Sequence, residues 1–316
     1  MANGYKIKRE LLRIFRQQKQ WPGDFLSYFW GAWYYDLFLA KNRTVQTGDQ
    51  SPGDKTAVYL IYPSAGLKPS HLRTLKHLAE NNYSVVVVSN LPLTQDEERQ
   101  VLHLCHQYIQ RPNFGYDFGG YRDGVLSVLN NHKQSKTLVL LNDSSWFPIV
   151  DHTDWLDEVQ DLGLDFAAAA SNFGCPRPDP SDFRNMQFSY HSNHKRFHYC
   201  SFALVFGERI LRDPGFKKFW LKFPLTNKKK STVRRGEVGL TAWILKKGYS
   251  HGSTFDTPSI EGSLHSLSDD RLREVVLLLL FVGREQRAPL RARAHPHPHP
   301  HPDACARAHA CQRSRL

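Results

Sequence analysis

Between residues 114 and 121 the chain reads FGYDFGGY, one carboxylate among three glycines and four aromatic rings. Glycine serves where the backbone needs positive φ or must approach a partner closely. Gly115, Gly119 and Gly120 around Asp117 therefore suggest two arrangements: a helix from residue 118 with Asp117 as its N-cap, or a ligand-facing loop whose acid accepts hydrogen bonds. A second run, Asn142-Asp143-Ser144-Ser145, sets one carboxylate among neutral oxygens directly after the apolar stretch TLVLLN. A third, RRGEVGL, places Glu237 between two glycines and just after Arg234 and Arg235. A carboxylate so placed can take a proton or hold a polar ligand. Each also has an ordinary structural use, as a turn residue or as a first-turn acid favouring the helix dipole.

Positioning these residues requires a rigid frame, and the apolar runs supply one. AVYLIY (57–62), YSVVVVS (83–89) and TLVLLN (137–142) read as buried strands,. Leu72, Leu75, Leu78 and Ala79 mark a helix between the first two, and Val101, Cys105, Tyr108 and Ile109 fall on the face of another,. This alternation predicts an α/β fold, a mostly parallel sheet covered by helices on both faces. In such sheets ligands bind beyond the carboxyl ends of the strands. Those ends carry Tyr62-Pro63-Ser64-Ala65-Gly66, Ser89-Asn90 and Asn142-Asp143-Ser144-Ser145, so polar groups gather on one rim.

The 316 residues, 41% of them hydrophobic, suffice for one main domain with tails,. Residues 43–56 read as a polar linker, and the domain is expected over 57–270. The segment 271–316, with its His-Pro and Ala-Arg alternation, reads as a low-complexity tail, disordered or arising from an altered gene end; a metal-binding His tract is its alternative. Net charge is +12. Nine arginines against Glu274, Glu285 and Asp303 give the tail half of it, and the remainder is too diffuse for nucleic acid,. Five scattered cysteines fit a reducing, cytoplasmic setting,. No apolar window is long enough to span a membrane.

Residues 5–20 nevertheless form a basic amphipathic pattern, followed by Phe25, Phe29, Trp33 and Leu37 at helical spacing with Trp30 and Tyr34 beside them,. Such a pair either lies on a membrane surface or packs its aromatic helix on the main domain. Several enzyme classes are excluded by missing signatures: no G-x-G-x-x-G, no phosphate-binding G-x-x-x-x-G-K-[ST], no G-x-S-x-G and no H-E-x-x-H occur,.

RPNFGYDFGGYRDGVL (111–126), LVLLNDSSWFPI (138–149), FHYCSFALVFGERIL (197–211), FKKFW (216–220) and RRGEVGLTAWILKKGY (234–249) together resemble the rhamnan synthesis F family of bacterial polysaccharide glycosyltransferases, in order and in spacing. The resemblance implies a GT-A-like, Rossmann-like fold. It also implies an inverting hexosyl transfer, rhamnosyl by preference, from a nucleotide-diphosphate sugar such as dTDP-rhamnose. The acceptor would be a lipid-linked or polysaccharide chain, destined for cell wall or lipopolysaccharide, at the cytoplasmic face of the membrane. Ser89, Asn90, Asn113, Gly115, Asp117, Gly119, Gly120, Asn142 and Ser144 would then surround the donor.

Asp143 would stand where related enzymes place an Asp-x-Asp pair, holding Mg²⁺ or Mn²⁺ against the diphosphate. Glu237 would be the base. His198, Arg234 and Arg235 are candidates toward the acceptor or the diphosphate; their ordinary readings are a packing histidine and a solvated charge run. Should Glu237 prove dispensable, Asp117 and Asp123 are the next carboxylates. DFAAAASNFGC (165–175) and HYCSF (198–202) depart from the family form, which bears on donor or acceptor preference. The rival to turnover is an inactive relative that binds nucleotide sugar or a partner.

Overall fold

Runs of aliphatic and β-branched residues form the centre of the molecule. The computed structural model describes residues 30–145, 147–148, 154–172, 192, 197–255 and 266–272. The basic stretch 5–20, Phe25, Phe29, residues 173–175 and the tail from 273 lie outside the described residues. The chain divides into one unit of Met1–Pro176 with Gln187–Ser266 and another of Arg177–Met186 with Leu267–Leu316. Residues 269–272, in the second, form a helical turn. All elements below belong to the first.

Strands β2 (Lys55–Ile61), β3 (Ser84–Ser89) and β5 (Thr137–Asn142) coincide with the three apolar runs. They are parallel, with β2 between β3 and β5. Period-two alternation sorts their side chains onto two faces. Val58, Leu60, Val86, Val88, Leu138 and Leu140 meet Phe118, Tyr121 and Val125 of helix α4 (Tyr116–Asn131). Ala57, Tyr59, Ile61, Val85, Val87, Val139 and Leu141 cluster with Leu75 and Leu78 of α2 (Pro69–Glu80) and with Leu156 and Val159 of α5 (Trp155–Asp161). Both faces are thus covered, as the sequence predicts.

Among the described residues the sheet as a whole is mixed rather than mostly parallel. Its order is β1-β4-β3-β2-β5-β8-β6-β7, with β9 pairing β6. Beyond the parallel group, β8 (Ala203–Phe206) runs antiparallel to β5 and to β6 (Phe166–Asn172), and β7 (His198–Tyr199) antiparallel to β6. Strand β9 (His251–Phe255) returns parallel to β6. Two expectations change at the other edge. Helix α3 (Gln95–Leu102) starts at a Thr94–Glu97 capping box but stops before Tyr108 and Ile109, which form β4 (Gln107–Gln110), parallel to β3. The residues expected to be linker contain β1 (Thr44–Thr47), antiparallel to β4. Here ladder pairing outweighs a helical reading of Tyr108 and Ile109, residues that favour strands in any case.

The N-terminal helix α1, described over residues 30–34, continues as a π-helical turn, Tyr35–Leu39. Its buried ring is Tyr35, which stacks on Phe114 at 6.0 Å. Trp33 and Leu37, expected on an apolar face that either packs on the main domain or lies on a membrane surface, are 65% and 62% exposed.

The second half adds α6 (Glu208–Leu211) and α7 (Pro214–Leu221), then a long helix built of α8 (Lys229–Val233), a π-helical turn (Arg234–Val238) and α9 (Gly239–Lys247).

Candidate functional site

The parallel strands β2, β3 and β5 end side by side. Asn90 N–H donates to the Ile61 carbonyl at 3.2 Å and Asp143 N–H to the Leu60 carbonyl at 3.1 Å. Over these ends opens a cleft of about 440 Å³ lined by Leu60, Tyr62, Asn90, Asn113, Tyr116, Asp117, Asp143 and Asn227. Four of these, Asn90, Asn113, Asp117 and Asp143, are among the residues expected from sequence. Tyr62 and Tyr116 lie in the stretches singled out, the first strand end and FGYDFGGY, without being named as site residues, and Asn227 lies outside them.

The chain enters α4 through two left-handed residues, Gly115 (φ +88°) and Tyr116 (φ +52°). Gly115, not Asp117, is the N-cap, and Asp117 sits in the first turn. The earlier start reflects the freedom of glycine at positive φ. A non-glycine residue held there beside a cleft is a local strain of the kind concentrated at binding sites. Gly115 N–H donates to Asn227 Oδ1 at 2.7 Å, which fastens the turn to a residue remote in sequence. Gly119 and Gly120 do not line the cleft. A Cβ on Gly120 would come within 2.3 Å of Leu60 Cδ1, and one on Gly119 within 2.1 Å of the Phe114 carbonyl oxygen, so both serve the close seating of α4.

Behind the cleft lies a closed polar network. Arg111, fully buried, donates from Nε to Asp123 Oδ2 at 2.7 Å, from Nη1 to Asn90 Oδ1 at 2.7 Å and from Nη2 to the Phe114 carbonyl at 2.8 Å. Tyr35 Oη donates to Asp123 as well. One guanidinium thereby sets the Asn90 amide and the entrance to α4. Asp123, an alternative carboxylate on sequence grounds, is spent in this ion pair, with Arg43 3.6 Å from its other oxygen. Ser89, also expected near a donor, is fully buried and donates to the Leu91 carbonyl at 2.6 Å.

The remaining carboxylates are held differently. Asp143 Oδ2 accepts Tyr62 N–H at 2.8 Å and lies 3.3 Å from His71 Nε2. His71 Nδ1 accepts Lys68 N–H at 3.1 Å, which puts the ring proton on Nε2, facing Asp143,. Burial alone would raise the Asp143 carboxyl, but the hydrogen bonds from His71 and Tyr62, with the nearby charge of Lys68, hold it below the ordinary range. Asp117 accepts one hydrogen bond from Asn142 Nδ2 at 3.3 Å. Burial, then the negative charges of Glu237 and Asp143, push its carboxyl upward against Lys229 and that hydrogen bond. Asn142 in turn accepts Ser144 N–H at 3.1 Å and Ser144 Oγ–H at 2.5 Å, so both expected polar residues orient the rim.

Glu237 is not among the residues lining the cleft, yet its charge is the largest influence on Asp117 after burial. It lies in the π-helical turn, inside a helix that already begins at Lys229. The expectation of a helix start at this glutamate is therefore corrected, and with it the dipole role. Its Oε1 accepts Ser201 Oγ–H at 2.8 Å, and its Oε2 is 3.5 Å from His198 Nε2. Tyr121 Oη donates to the Ser201 carbonyl at 2.8 Å, within the electrostatic reach of all three acids. His198 therefore belongs with Glu237. Arg234 is exposed, and Arg235 faces a different cavity, bordered by α7 and α9.

Asp117 and Asp143 are the residues of this cleft that suit a hard divalent cation. Burial, then the charges of Glu237 and Asp143, raise the Asp117 carboxyl despite Lys229, and Mg²⁺ needs only one or two carboxylates when phosphate and water complete its shell,. Among the described residues no group of three or more His, Cys, Asp or Glu is placed to hold a metal by itself.

The family model for rhamnan synthesis protein F matches residues 85–279. The uncharacterized protein y4gN of Sinorhizobium fredii (strain NBRC 101917 / NGR234) is 30% identical over 279 residues, 87% of this chain and 68% of that protein. The virulence protein VirA of Vibrio anguillarum is 34% identical over 79 residues, 23% of this chain and 25% of that one. Among solved structures, the mannosyltransferase PcManGT of Pyrobaculum calidifontis, in complex with GDP-Man and Mn²⁺, gives a TM-score of 0.37 at 15% identity, over 72% of this chain and 61% of that chain. The core-mannan synthase A of Aspergillus fumigatus, in a Mn/GDP form, gives 0.33 at 11% identity, over 57% and 66%. By the family model and the Sinorhizobium relative, the chain belongs to the rhamnan synthesis protein F family.

Proposed function

We propose that the protein is a glycosyltransferase that moves a hexosyl group, rhamnosyl by preference, from a nucleotide-diphosphate sugar to a growing cell-surface polysaccharide, with inversion, at the cytoplasmic face of the membrane. The observation that carries this reading is the cleft itself: amides and carboxylates gathered over three parallel strand ends, in a member of this family. Asn90 and Asn113 offer amides to the base and ribose, and Asp117 accepts from hydroxyl groups of the donor. Lys68 and Lys229 act electrostatically on Asp143 and Asp117 and suit the diphosphate. A divalent cation between Asp117, Asp143 and the donor would neutralise the departing diphosphate.

Glu237 takes the proton of the attacking acceptor hydroxyl as that oxygen bonds to the anomeric carbon and the bond to the diphosphate breaks. Ser201 and His198 hold the carboxylate in place. The test is a panel of dTDP-, UDP- and GDP-sugars incubated with the full chain and Mn²⁺ and followed by mass spectrometry. Transfer, or slow hydrolysis of one donor without acceptor, is expected. Binding of a donor with no turnover in either form would make the protein the inactive relative.

A further inference from the structure

A second cavity has the opposite chemistry to the cleft. About 580 Å³ in volume, it is lined by Lys218, Lys222, Arg235 and Lys247 with aromatic rings that include Phe219 and Trp243, and no acidic residue is among those lining it. Lys247 pairs with Asp213 at 2.9 Å and lies 5.8 Å from the centre of the Trp243 ring. Lys218 and Lys222 are exposed at the cavity edge. Cations beside rings in one concave surface fit a phosphate joined to an apolar body better than they fit a free sugar.

The ground beside this cavity is apolar and uncovered. Trp30, Trp33, Tyr34, Leu37 and Phe38 are 64, 65, 49, 62 and 58% exposed, and Leu221 is 49% exposed. This strip rests on the segment that walls the cavity. A Cβ on Gly31 would lie 1.9 Å from the Leu225 carbonyl oxygen. Asp36 pairs with Arg122 at 2.7 Å, and Arg122 donates onward to the Trp220 and Leu221 carbonyls at 3.1 and 3.4 Å. Lys222 and Pro224 of the same segment line the cavity. Upstream, the sequence adds Lys6, Lys8, Arg9, Arg13, Arg16 and Lys19. Large aromatic residues at headgroup depth flanked by cations are the pattern of a surface that binds anionic bilayers without crossing them.

We propose that this face seats the protein on an anionic lipid bilayer, the strip of residues 30–38 lying at headgroup level and the basic cavity taking a lipid phosphate. The inference gives a surface to the membrane-side reaction proposed above and rests on that reading for the face of the membrane concerned. Its test needs no sugar transfer, so either can fail alone. The full chain is sedimented with vesicles of phosphatidylcholine and with vesicles of phosphatidylcholine and phosphatidylglycerol.

Binding to the anionic vesicles alone is expected. Lys218→Gln with Lys222→Gln should lower it about 25-fold, about fivefold for each cation, with an unchanged melting temperature because both side chains are exposed. Trp33→Ser should weaken it too, and inorganic phosphate should compete. Equal binding to both vesicle types, or full binding by the double lysine variant, would overturn the proposal. So would protection by inorganic phosphate without any vesicle binding.

Discussion

Asp117 and Asp123 stand on the same helix and meet opposite surroundings. Asp123 is buried against a guanidinium, a second arginine and a phenol, so its charge is answered from every side. Asp117 has one amide hydrogen bond and two other acids for neighbours. A protein that used both carboxylates only to hold its fold would have paired both. Leaving one buried beside two acids and only partly compensated, by Lys229 and one amide, costs stability and is reasonable where a cation or a donor's hydroxyl groups complete the site,. The closed network holds the frame, and the open one is where the proposed donor and cation would bind.

The largest effect that would sharpen this contrast is at the open site. Glu237→Gln keeps the size and the Ser201 hydrogen bond but cannot take a proton. Turnover should fall on the order of 100- to 10,000-fold with donor affinity kept. Single-turnover kinetics with the donor found by the sugar panel would measure it, and near-normal turnover would remove Glu237 from the mechanism.

At the closed site the loss should appear in stability instead. Arg111→Met leaves Asp123 buried with Arg43 at 3.6 Å as its remaining cation and frees Asn90 and the Phe114 carbonyl. About 3–5 kcal/mol should be lost in urea unfolding. A loss below about 1 kcal/mol would mean that the network is not what holds the frame.

A smaller effect separates the two acids of the cleft by sign. The Asp117 carboxyl is raised in the folded state, so its ionisation opposes folding: stability present in acid is lost as pH rises through the folded value,. Asp117→Asn should therefore raise the melting temperature at neutral pH, with the gain vanishing in acid. The Asp143 carboxyl is lowered, so its contribution is present at neutral pH and lost as pH falls through the folded value,. Asp143→Asn should lower the melting temperature at neutral pH and do nothing in acid. Melting curves across the acid range read both, and shifts of the same sign would contradict the assignment of the two environments.

Much of the frame was legible because β2, β3 and β5 are continuous apolar runs, and a parallel arrangement fixes where ligands gather. Asn90, Asn113, Asp117 and Asp143 were visible as polar residues at strand ends or in a glycine-rich turn. What stayed hidden depends on contacts between distant residues. Asn227 reaches the cleft through a hydrogen bond across 112 residues, and no local pattern marks it. Tyr116 was hidden by its type, since a tyrosine is an unexpected residue at positive φ,. No local pattern marks Arg111 either, and its burial follows only from Asp123, Asn90 and Phe114 meeting it. Arg235, a candidate toward the acceptor or the diphosphate on sequence grounds, lines the basic cavity and not the cleft, and it stands in a π-helical turn that regular helical spacing does not anticipate,.

The acidic cleft, not the basic cavity, should take the nucleotide. Calorimetric titration of the full chain with dTDP, UDP and GDP, in Mn²⁺ and again in a chelator, tests it most directly when repeated on Asp143→Asn and Lys222→Gln. One nucleoside diphosphate should bind per chain, more weakly without metal. At a hundredfold excess over its dissociation constant it should stabilise the fold by roughly 2.7 kcal/mol. Asp143→Asn should remove the metal-dependent part and Lys222→Gln should change nothing. Binding that ignores the chelator and Asp143→Asn but falls with Lys222→Gln would place the nucleotide in the other cavity and contradict the account.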